Sequence, residues 1–312
     1  MEDDATDIRA GSTRPPPGAE EGRTSRPGAQ SSTPQEAAFY DSVVVPRYSA
    51  LFSRPLLDAI PQGTRGQVLD LGCGTGHPAI EVLRRMTDHG RVIAIDRDSG
   101  LVDLARRRAL EAHGKRIFFK VEPAHELSFG DEVFDIVVGN LVLGAIDTEL
   151  SWVGTGAPPG ERAVLGEVRR VLAPGGRALL SRPLAGTFEE VIDMLREVAL
   201  RRDLVGAGKR VELLAARYPT REAWAEQLTQ AGFAPVEVQA HEHKLAFRSA
   251  RDLFADPLVR AIAVSEWRWV AGLEPGSETV LEDCEHALET YFAGGPISLT
   301  VIAGAAQAGR PA

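Results

Sequence analysis

The chain is organised around residues 68–76, which read Val-Leu-Asp-Leu-Gly-Cys-Gly-Thr-Gly. A short apolar run that ends in an acid and turns through three alternate glycines predicts a buried strand entering a helix through a tight loop. Glycine permits positive φ and lets a ligand approach the backbone closely. Pro78 suits the first helical turn, and apolar residues then recur at helical spacing up to Met86. This stretch therefore predicts a strand–loop–helix cradle for a ligand.

Apolar strands and amphipathic helices alternate through the first half of the chain. Helices are predicted near 99–113 and 161–172, the second running into a Pro-Gly-Gly turn at 174–176. The further predicted strands are 92–95, 117–121, 134–138 and 177–181. Because these strands are apolar on both faces, they indicate a parallel sheet covered on both sides. The predicted fold class is α/β, doubly wound.

After Pro183 the regular alternation of strands and helices gives way to longer helical stretches. Helices are predicted within 187–218, 220–231 and 249–293, with strands at 236–240 and 297–302. These additions exceed what a minimal sheet needs, and we interpret them as a cap over the strand ends. An interaction surface and simple helical decoration are the alternatives.

The N-terminal stretch has a different composition. From Arg9 to Ala38 it contains no aromatic residue and no aliphatic side chain larger than alanine. Such a segment buries too little apolar surface to offset its ordering entropy, so residues 1–37 are expected to form a disordered tail.

Composition narrows the class of protein. The formal net charge of −9 disfavours a nucleic-acid partner, which calls for a basic surface. The two cysteines, Cys73 and Cys284, are far apart, so neither a disulfide framework nor a cysteine metal site is expected. No signal peptide or membrane-spanning run is visible, and we expect a soluble, cytoplasmic protein without a membrane partner.

Polar residues follow several of the predicted strands. Because ligands bind at the carboxyl ends of strands in open α/β sheets, Asp70, the glycine loop, Asp96 and Asn140 should border one crevice. Asp96 stands 20 residues beyond Gly76, a position suited to a ribose diol. A dinucleotide fingerprint would need glycine where His77 stands, and no phosphate-loop motif of the G-x-x-x-x-G-K type occurs. A nucleoside ligand other than NAD or ATP is therefore indicated.

Four motifs closely resemble those of class I S-adenosylmethionine-dependent methyltransferases, particularly the type 11 small-molecule branch. They are the 68–76 loop, Val-Ile-Ala-Ile-Asp at 92–96, the run at 127–143 and Glu-Val-Arg-Arg-Val-Leu-Ala-Pro-Gly-Gly-Arg at 167–177. The resemblance implies a Rossmann-like, seven-stranded, mostly parallel sheet and S-adenosyl-L-methionine as the cofactor. It divides the chain into the tail, a cofactor-binding core at 38–185, and a region at 186–312 that holds cap helices and the last two strands.

The resemblance also implies roles for individual residues. Asp70 and the glycine loop hold the methionine end, Asp96 takes the ribose hydroxyls, and Asn140 lines the passage to the acceptor. The family usually places an acid before Ala124, but Pro123 stands there, which leaves His125 or Glu126 to contact the adenine amino group. The implied cofactor-binding set is Asp70, Gly72, Cys73, Gly74, Gly76, Asp96, Arg97, Ala124, His125, Asn140 and Leu141.

No catalytic base is assigned, because a base is needed only when the attacking atom is still protonated. The candidates, each with a stronger structural explanation, are His77, His125, Asp147, His241 and His243. Tyr40, Arg47 and Tyr48 are further candidates as parts of a lid.

The acceptor is predicted to be a small organic molecule. Methyltransferases that act on the amino groups of bases or glutamine often carry a Pro-Pro motif after the fourth strand, but residues 140–143 read Asn-Leu-Val-Leu. The alternatives are a protein that binds the cofactor without transferring methyl groups, as a sensor or partner subunit, and an oxidoreductase on the same sheet. The acceptor atom and the oligomeric state stay open.

Overall fold

The computed structural model describes residues 31–112, 116–143, 159–272, 279–293 and 295–312. Within these ranges seven strands form one sheet in the order β3-β2-β1-β4-β5-β7-β6. The strands are β1 (Gln67–Leu71), β2 (Arg91–Asp96), β3 (Ile117–Val121), β4 (Phe134–Asn140), β5 (Leu172–Pro183), β6 (Val236–Phe247) and β7 (Ile297–Gly309). Strands β1 to β5 pair in parallel, and β7 runs antiparallel to both β5 and β6. The predicted α/β class and mostly parallel sheet are confirmed.

Helices connect the strands and cover the sheet. A π-helix, Tyr40–Ser49, lies between α1 and α2. The α-helices are α1 (Pro34–Phe39), α2 (Ala50–Asp58), α3 (His77–Arg85), α4 (Ser99–Ala112), α5 (Pro159–Val171), α6 (Glu189–Arg201), α7 (Val205–Ala216), α8 (Arg221–Gln230), α9 (Ala250–Ala255), α10 (Pro257–Ile262), α11 (Val264–Ala271) and α12 (Val280–Tyr291).

Strand β1 shows why both faces of the sheet are buried. Successive side chains of a strand point to opposite faces. Val68 joins an apolar cluster with residues of α2 and α3, whereas Leu69 joins a cluster with α5 and α8. Both side chains are fully buried. The near-continuous apolar composition of the central strands follows from this two-sided burial.

The folded region begins earlier than the sequence predicts. Residues 1–30 of the predicted tail lie outside the described residues, but α1 already occupies Pro34–Phe39, so the boundary expected after residue 37 is wrong. Thr33 caps this helix through a reciprocal pair of hydrogen bonds with Glu36. A capping box and a proline in the first turn outweigh the low apolar content of the segment.

The last three strands are longer than predicted. Strand β5 begins at Leu172 and contains the predicted turn as an irregularity, where the register with β4 shifts between Phe134 and Ile136. Strand β6 continues to Phe247 instead of ending at residue 240. His241 and His243, expected at the end of this strand, lie within it.

Helices from several parts of the chain pack together beyond the carboxyl end of β5. Pro183, the last residue of β5, pairs with Ala303, so residues 297–302 of β7 continue past it together with β6. This extension shares an apolar cluster with the π-helix and with helices α6, α7 and α9 to α12. The helical block predicted at 249–293 consists of α9 to α12, apart from residues 273–278, which lie outside the described ranges. No helix in the described parts of the chain is long and apolar enough to cross a bilayer.

Candidate active site

The carboxyl ends of β1, β2 and β3 meet through backbone hydrogen bonds. The Cys73 amide donates to the Ile95 carbonyl at 2.9 Å, and the Glu122 amide donates to the Asp96 carbonyl at 2.9 Å. Leu71 at the end of β1 pairs with Gly139 on β4. The structure therefore brings the glycine loop, Asp96 and the end of β4 to one edge of the sheet, as predicted.

The glycine loop has the conformation that its sequence requires. Gly74 has φ +52° and Gly76 has φ +85°, values that residues other than glycine rarely adopt. Gly76 forms the N-cap of α3, so the loop leads directly into the amino end of that helix. A Cβ atom added at Gly74 would lie 3.1 Å from Cε1 of Tyr40. The absence of a side chain at Gly74 therefore lets the Tyr40 ring pack on the loop.

Asp96 is bound to the glycine loop directly. Its Oδ2 accepts a hydrogen bond of 2.9 Å from the Gly74 amide, and its Oδ1 accepts one of 2.9 Å from the Asp98 amide. Burial raises the pKa of Asp96, while these two amides and the Arg97 charge oppose the rise. Because each carboxylate oxygen can accept a second hydrogen bond, a diol can still be bound there.

Asp70 is the least satisfied polar group of the site. It is fully buried on β1, and neither carboxylate oxygen has a hydrogen-bond partner among the described residues. Burial and the nearby Asp96 charge raise the pKa of Asp70 well above its ordinary value. The Ala79 amide lies near enough to oppose this rise but not in hydrogen-bonding geometry. A buried acid without a partner is costly, so a cationic or hydrogen-donating ligand group would compensate it.

The chain after β3 folds into a turn in which the Glu126 amide donates to the Pro123 carbonyl at 3.4 Å. Ala124 is half-buried, whereas His125 and Glu126 are exposed. The buried acid here is Glu122, which pairs with Lys120 at 2.5 Å and accepts from Ser128 Oγ at 3.2 Å. Sequence reasoning missed Glu122, because its position one residue before Pro123 lies outside the family pattern.

Asn140 and Leu141 close β4 in a constrained geometry. Asn140 Nδ2 donates to Ser49 Oγ at 2.9 Å, and Asn140 Oδ1 accepts from Ser181 Oγ at 2.8 Å. These contacts join β4 to the π-helix and to β5. Leu141 has φ +60°, an uncommon value for leucine, and its amide donates to the Ser181 carbonyl at 3.2 Å. Strain of this kind concentrates at functional sites.

The three lid candidates have different surroundings. Tyr40 contacts the glycine loop, and burial together with the Asp96 charge raises its pKa to about 12, so its hydroxyl stays protonated at neutral pH. Tyr48 is buried in the apolar cluster that the π-helix forms with α6, α7, α9 to α12 and residues 297–302 of β7, which we call the cap cluster. Arg47 forms an ion pair of 3.0 Å with Asp256 on the surface.

The described base candidates lie on several different elements, and His125 is exposed. His77 is half-buried at the start of α3, where burial lowers its pKa. His241 and His243 lie on β6, four strand positions from β1 and so about 19 Å away. Asp147 lies outside the described residues. Within the part of the chain that the structure describes, no group of three His, Cys, Asp or Glu side chains could hold a metal ion.

Aromatic side chains pack together next to the end of β4. Phe188, which precedes α6, stacks with Tyr48 at 6.4 Å between ring centroids and meets Trp267 edge-on at 5.9 Å. Leu141 packs against the same apolar cluster. Glu266 on α11 is an acidic residue next to this cluster. Burial raises the pKa of Glu266, although Arg217 opposes the rise by donating from Nη1 to Glu266 Oε1 at 2.7 Å. The end of β4 therefore faces a largely apolar, aromatic region.

The chain belongs to a family of methyltransferase domains, whose family model matches residues 63–230. Together with the fold, this defines the class as an S-adenosylmethionine-dependent methyltransferase, as the motifs predicted. An uncharacterized 37.1 kDa transposon protein of Streptomyces fradiae is 30% identical over 155 residues, which cover 49% of this chain and 41% of that protein. The chain thus spans less than half of that relative.

Two named proteins are also similar. The ubiquinone/menaquinone biosynthesis C-methyltransferase UbiE of Geobacter sulfurreducens is 25% identical over 213 residues, or 62% of this chain and 78% of that protein. The solved structure of YcgJ from Bacillus subtilis superimposes with a TM-score of 0.53 at 18% identity, covering 84% of this chain and 99% of YcgJ. The latter likeness shows that the fold is shared.

Proposed function

We propose that the residues at the carboxyl edge of β1, β2 and β4 bind S-adenosyl-L-methionine and that the chain transfers its methyl group to a small organic molecule in the cytoplasm. The observation that carries this proposal is the pairing of two acids with the glycine loop. Asp96 accepts a hydrogen bond from the Gly74 amide, and Asp70 is buried beside it with no hydrogen-bond partner among the residues that the structure describes. Asp96 fits the diol of such a ligand, and Asp70 fits its cationic methionine end.

Each part of the cofactor has a suitable group in this proposal. The remaining lone pairs of Asp96 accept from the ribose hydroxyls, and Asp70 compensates the ammonium end. Gly72, Cys73, Gly74 and Gly76 supply backbone close to the ligand, while Arg97, Ala124 and His125 border the adenine. When bound, the cofactor supplies an electrophilic methyl group on a sulfonium. The chain's own contribution is to align donor and acceptor and to exclude water, an effect worth up to about 7–11 kcal/mol.

The acceptor is proposed to be small and largely apolar or aromatic. The region next to Leu141 is an aromatic cluster whose neighbouring carboxylate, Glu266, is half-buried, and this suits an uncharged ring better than a polyanion. A similar protein, UbiE, is named a ubiquinone/menaquinone biosynthesis C-methyltransferase, and this supports a small-molecule acceptor. Both cysteines are free and buried, which is compatible with a reducing compartment.

Calorimetry tests the binding step. S-adenosylhomocysteine should bind the full-length protein, whereas NADH should not. A metabolite extract incubated with the protein and methyl-labelled cofactor should then yield a labelled small molecule. Binding without any labelled product would favour a cofactor-binding protein over an enzyme, and NADH binding would favour an oxidoreductase.

Asp96→Asn tests the site itself. We expect the affinity for S-adenosylhomocysteine to fall by about tenfold or more, because a neutral amide accepts the ribose hydroxyls more weakly than a carboxylate does. Asp103→Asn is the matched control, since Asp103 is an exposed acid that pairs with Arg106 on α4. An Asp96→Asn protein that melts normally and binds with wild-type affinity would refute the assignment.

A further inference from the structure

A polar cluster joins the π-helix to the glycine loop. It consists of Asp41 on the π-helix, Thr75 in the loop and Arg108 on α4, and none of the three belongs to the cofactor-binding set. Thr75 Oγ1 donates to Asp41 Oδ1 at 2.6 Å. Arg108 forms an ion pair with Asp41 and donates from Nη1 to the Thr75 carbonyl at 3.1 Å. Three separate segments of the chain therefore meet at this cluster.

Thr75 is the natural point from which to hold the loop. It stands between Gly74 and Gly76, which both have positive φ and have no side chains with which to anchor the backbone. The Thr75 side chain is buried, while Asp41 and Arg108 are half-buried. A charge-assisted hydrogen bond in such partly shielded surroundings is stronger than one in open water.

The cluster also places Tyr40. Tyr40 precedes Asp41 and packs on Gly74, which precedes Thr75, so two consecutive residues of the π-helix contact two consecutive residues of the loop. The Tyr40 phenol lies close enough to Asp96 and Asp70 for their charges to raise its pKa. Any movement of Asp41 away from Thr75 would therefore also move Tyr40 away from the two acids.

We propose that Asp41 and Arg108 are positioning residues that hold Tyr40 as one wall of the cofactor pocket and so set how slowly the bound nucleoside is released. This inference rests on the proposed function, because it requires that the pocket bind the nucleoside. The cluster acts through Thr75 and Tyr40 and does not itself touch the reacting atoms. Its loss opens the wall without removing any of the groups that bind the ligand.

The release rate of tritiated S-adenosylhomocysteine from the full-length protein, chased with excess unlabelled ligand, tests the proposal. We expect Asp41→Asn and Thr75→Val each to release the ligand about tenfold faster, since the first removes the charge that Thr75 and Arg108 bind and the second removes the hydroxyl that donates to Asp41. The double variant should release it no more than about twofold faster than either single variant, because the two residues act as one unit. The melting temperature of the ligand-free protein should stay nearly constant.

Matched variants separate the proposed role from simple packing. Thr75→Ser keeps the hydroxyl and should restore slow release, whereas Asp193→Asn breaks a surface pair with Arg196 and should change nothing. The inference would be overturned if Thr75→Val released the ligand at the wild-type rate, or if Thr75→Ser released it as fast as Thr75→Val does. The proposed function would stand in either case. A wild-type protein that binds no S-adenosylhomocysteine would overturn both.

Discussion

Replacing Asp70 by asparagine should make the ligand-free protein more stable and at the same time impair cofactor binding. The carboxylate is fully buried, and neither oxygen has a hydrogen-bond partner among the described residues. Leaving such a group unsatisfied costs about 1–3 kcal/mol. Asparagine has nearly the same shape and no charge, so it removes the extra cost of a buried charge, which exceeds the cost of burying its neutral amide. The same change removes the charge proposed to compensate the methionine ammonium group, and affinity should fall at least about tenfold.

The expected shift in melting temperature follows from the chain length. An unfolding entropy of about 2.1 cal/mol/K per residue gives roughly 0.6 kcal/mol/K for a chain of this size. A gain of about 1–3 kcal/mol therefore raises Tm by roughly 2–5 °C. Differential scanning calorimetry of ligand-free protein measures this shift. Asp58→Asn, at an exposed position at the end of α2, is the control and should leave Tm unchanged.

The gain from this substitution should depend on pH in a defined direction. The pKa of Asp70 is raised in the folded protein, so the wild type loses stability as pH rises from the ordinary value of 3.8 through the folded-state pKa. Asparagine does not titrate, so the difference in Tm should be largest at neutral pH and vanish in acid. An Asp70→Asn protein that melts at or below the wild-type temperature at pH 7 would show that this acid has a partner.

Two further substitutions test the loop and the end of β5. Gly74→Ala should lower the affinity for S-adenosylhomocysteine about tenfold and destabilise the fold by about 1–2 kcal/mol. The reason is that a side chain at this position is strained at φ +52° and meets the Tyr40 ring. Calorimetry that shows wild-type affinity would contradict this account. Arg182→Met should cost about 3 kcal/mol in urea unfolding, because Glu161 loses a buried partner at 2.8 Å. Replacing both Arg182 and Glu161 by apolar residues should recover part of that loss, and a single-variant cost below about 1 kcal/mol would contradict burial of the pair.

Strands β1, β2 and β4 could be predicted from the sequence because most of each strand is buried on both faces. Strand β3 lies at the edge of the sheet with Phe118 and Val121 exposed, and its apolar run alone predicted it. The second half of strand β6, beyond residue 240, could not be predicted, since the buried face of the strand changes halfway. Val236 and Val238 pack against the cluster that includes α8, whereas Leu245 and Phe247 lie on the opposite face and join the cap cluster. The pattern between them breaks at polar residues and resembles a strand end.

The site shows the same division between local and tertiary information. Asp96 could be placed near the glycine loop because both follow adjacent parallel strands, and the structure joins them through the Gly74 amide. The contacts of Asp41 with Thr75 could not be predicted, because they depend on how a π-helix more than thirty residues upstream crosses the loop. A π-helix also lacks the 3.6-residue repeat by which buried helical faces are recognised.

The antiparallel pair of β6 and β7 has a consequence for how this enzyme could diversify. Helices α9 to α12 leave the sheet at Phe247 and return at Ile297, two residues that pair with each other. An insertion whose two ends are adjacent can change in length or packing with little disturbance to the chain on either side. The region proposed to face the acceptor can therefore change between Phe247 and Ile297 while the edge proposed to bind the nucleoside, formed much earlier in the chain, stays as it is.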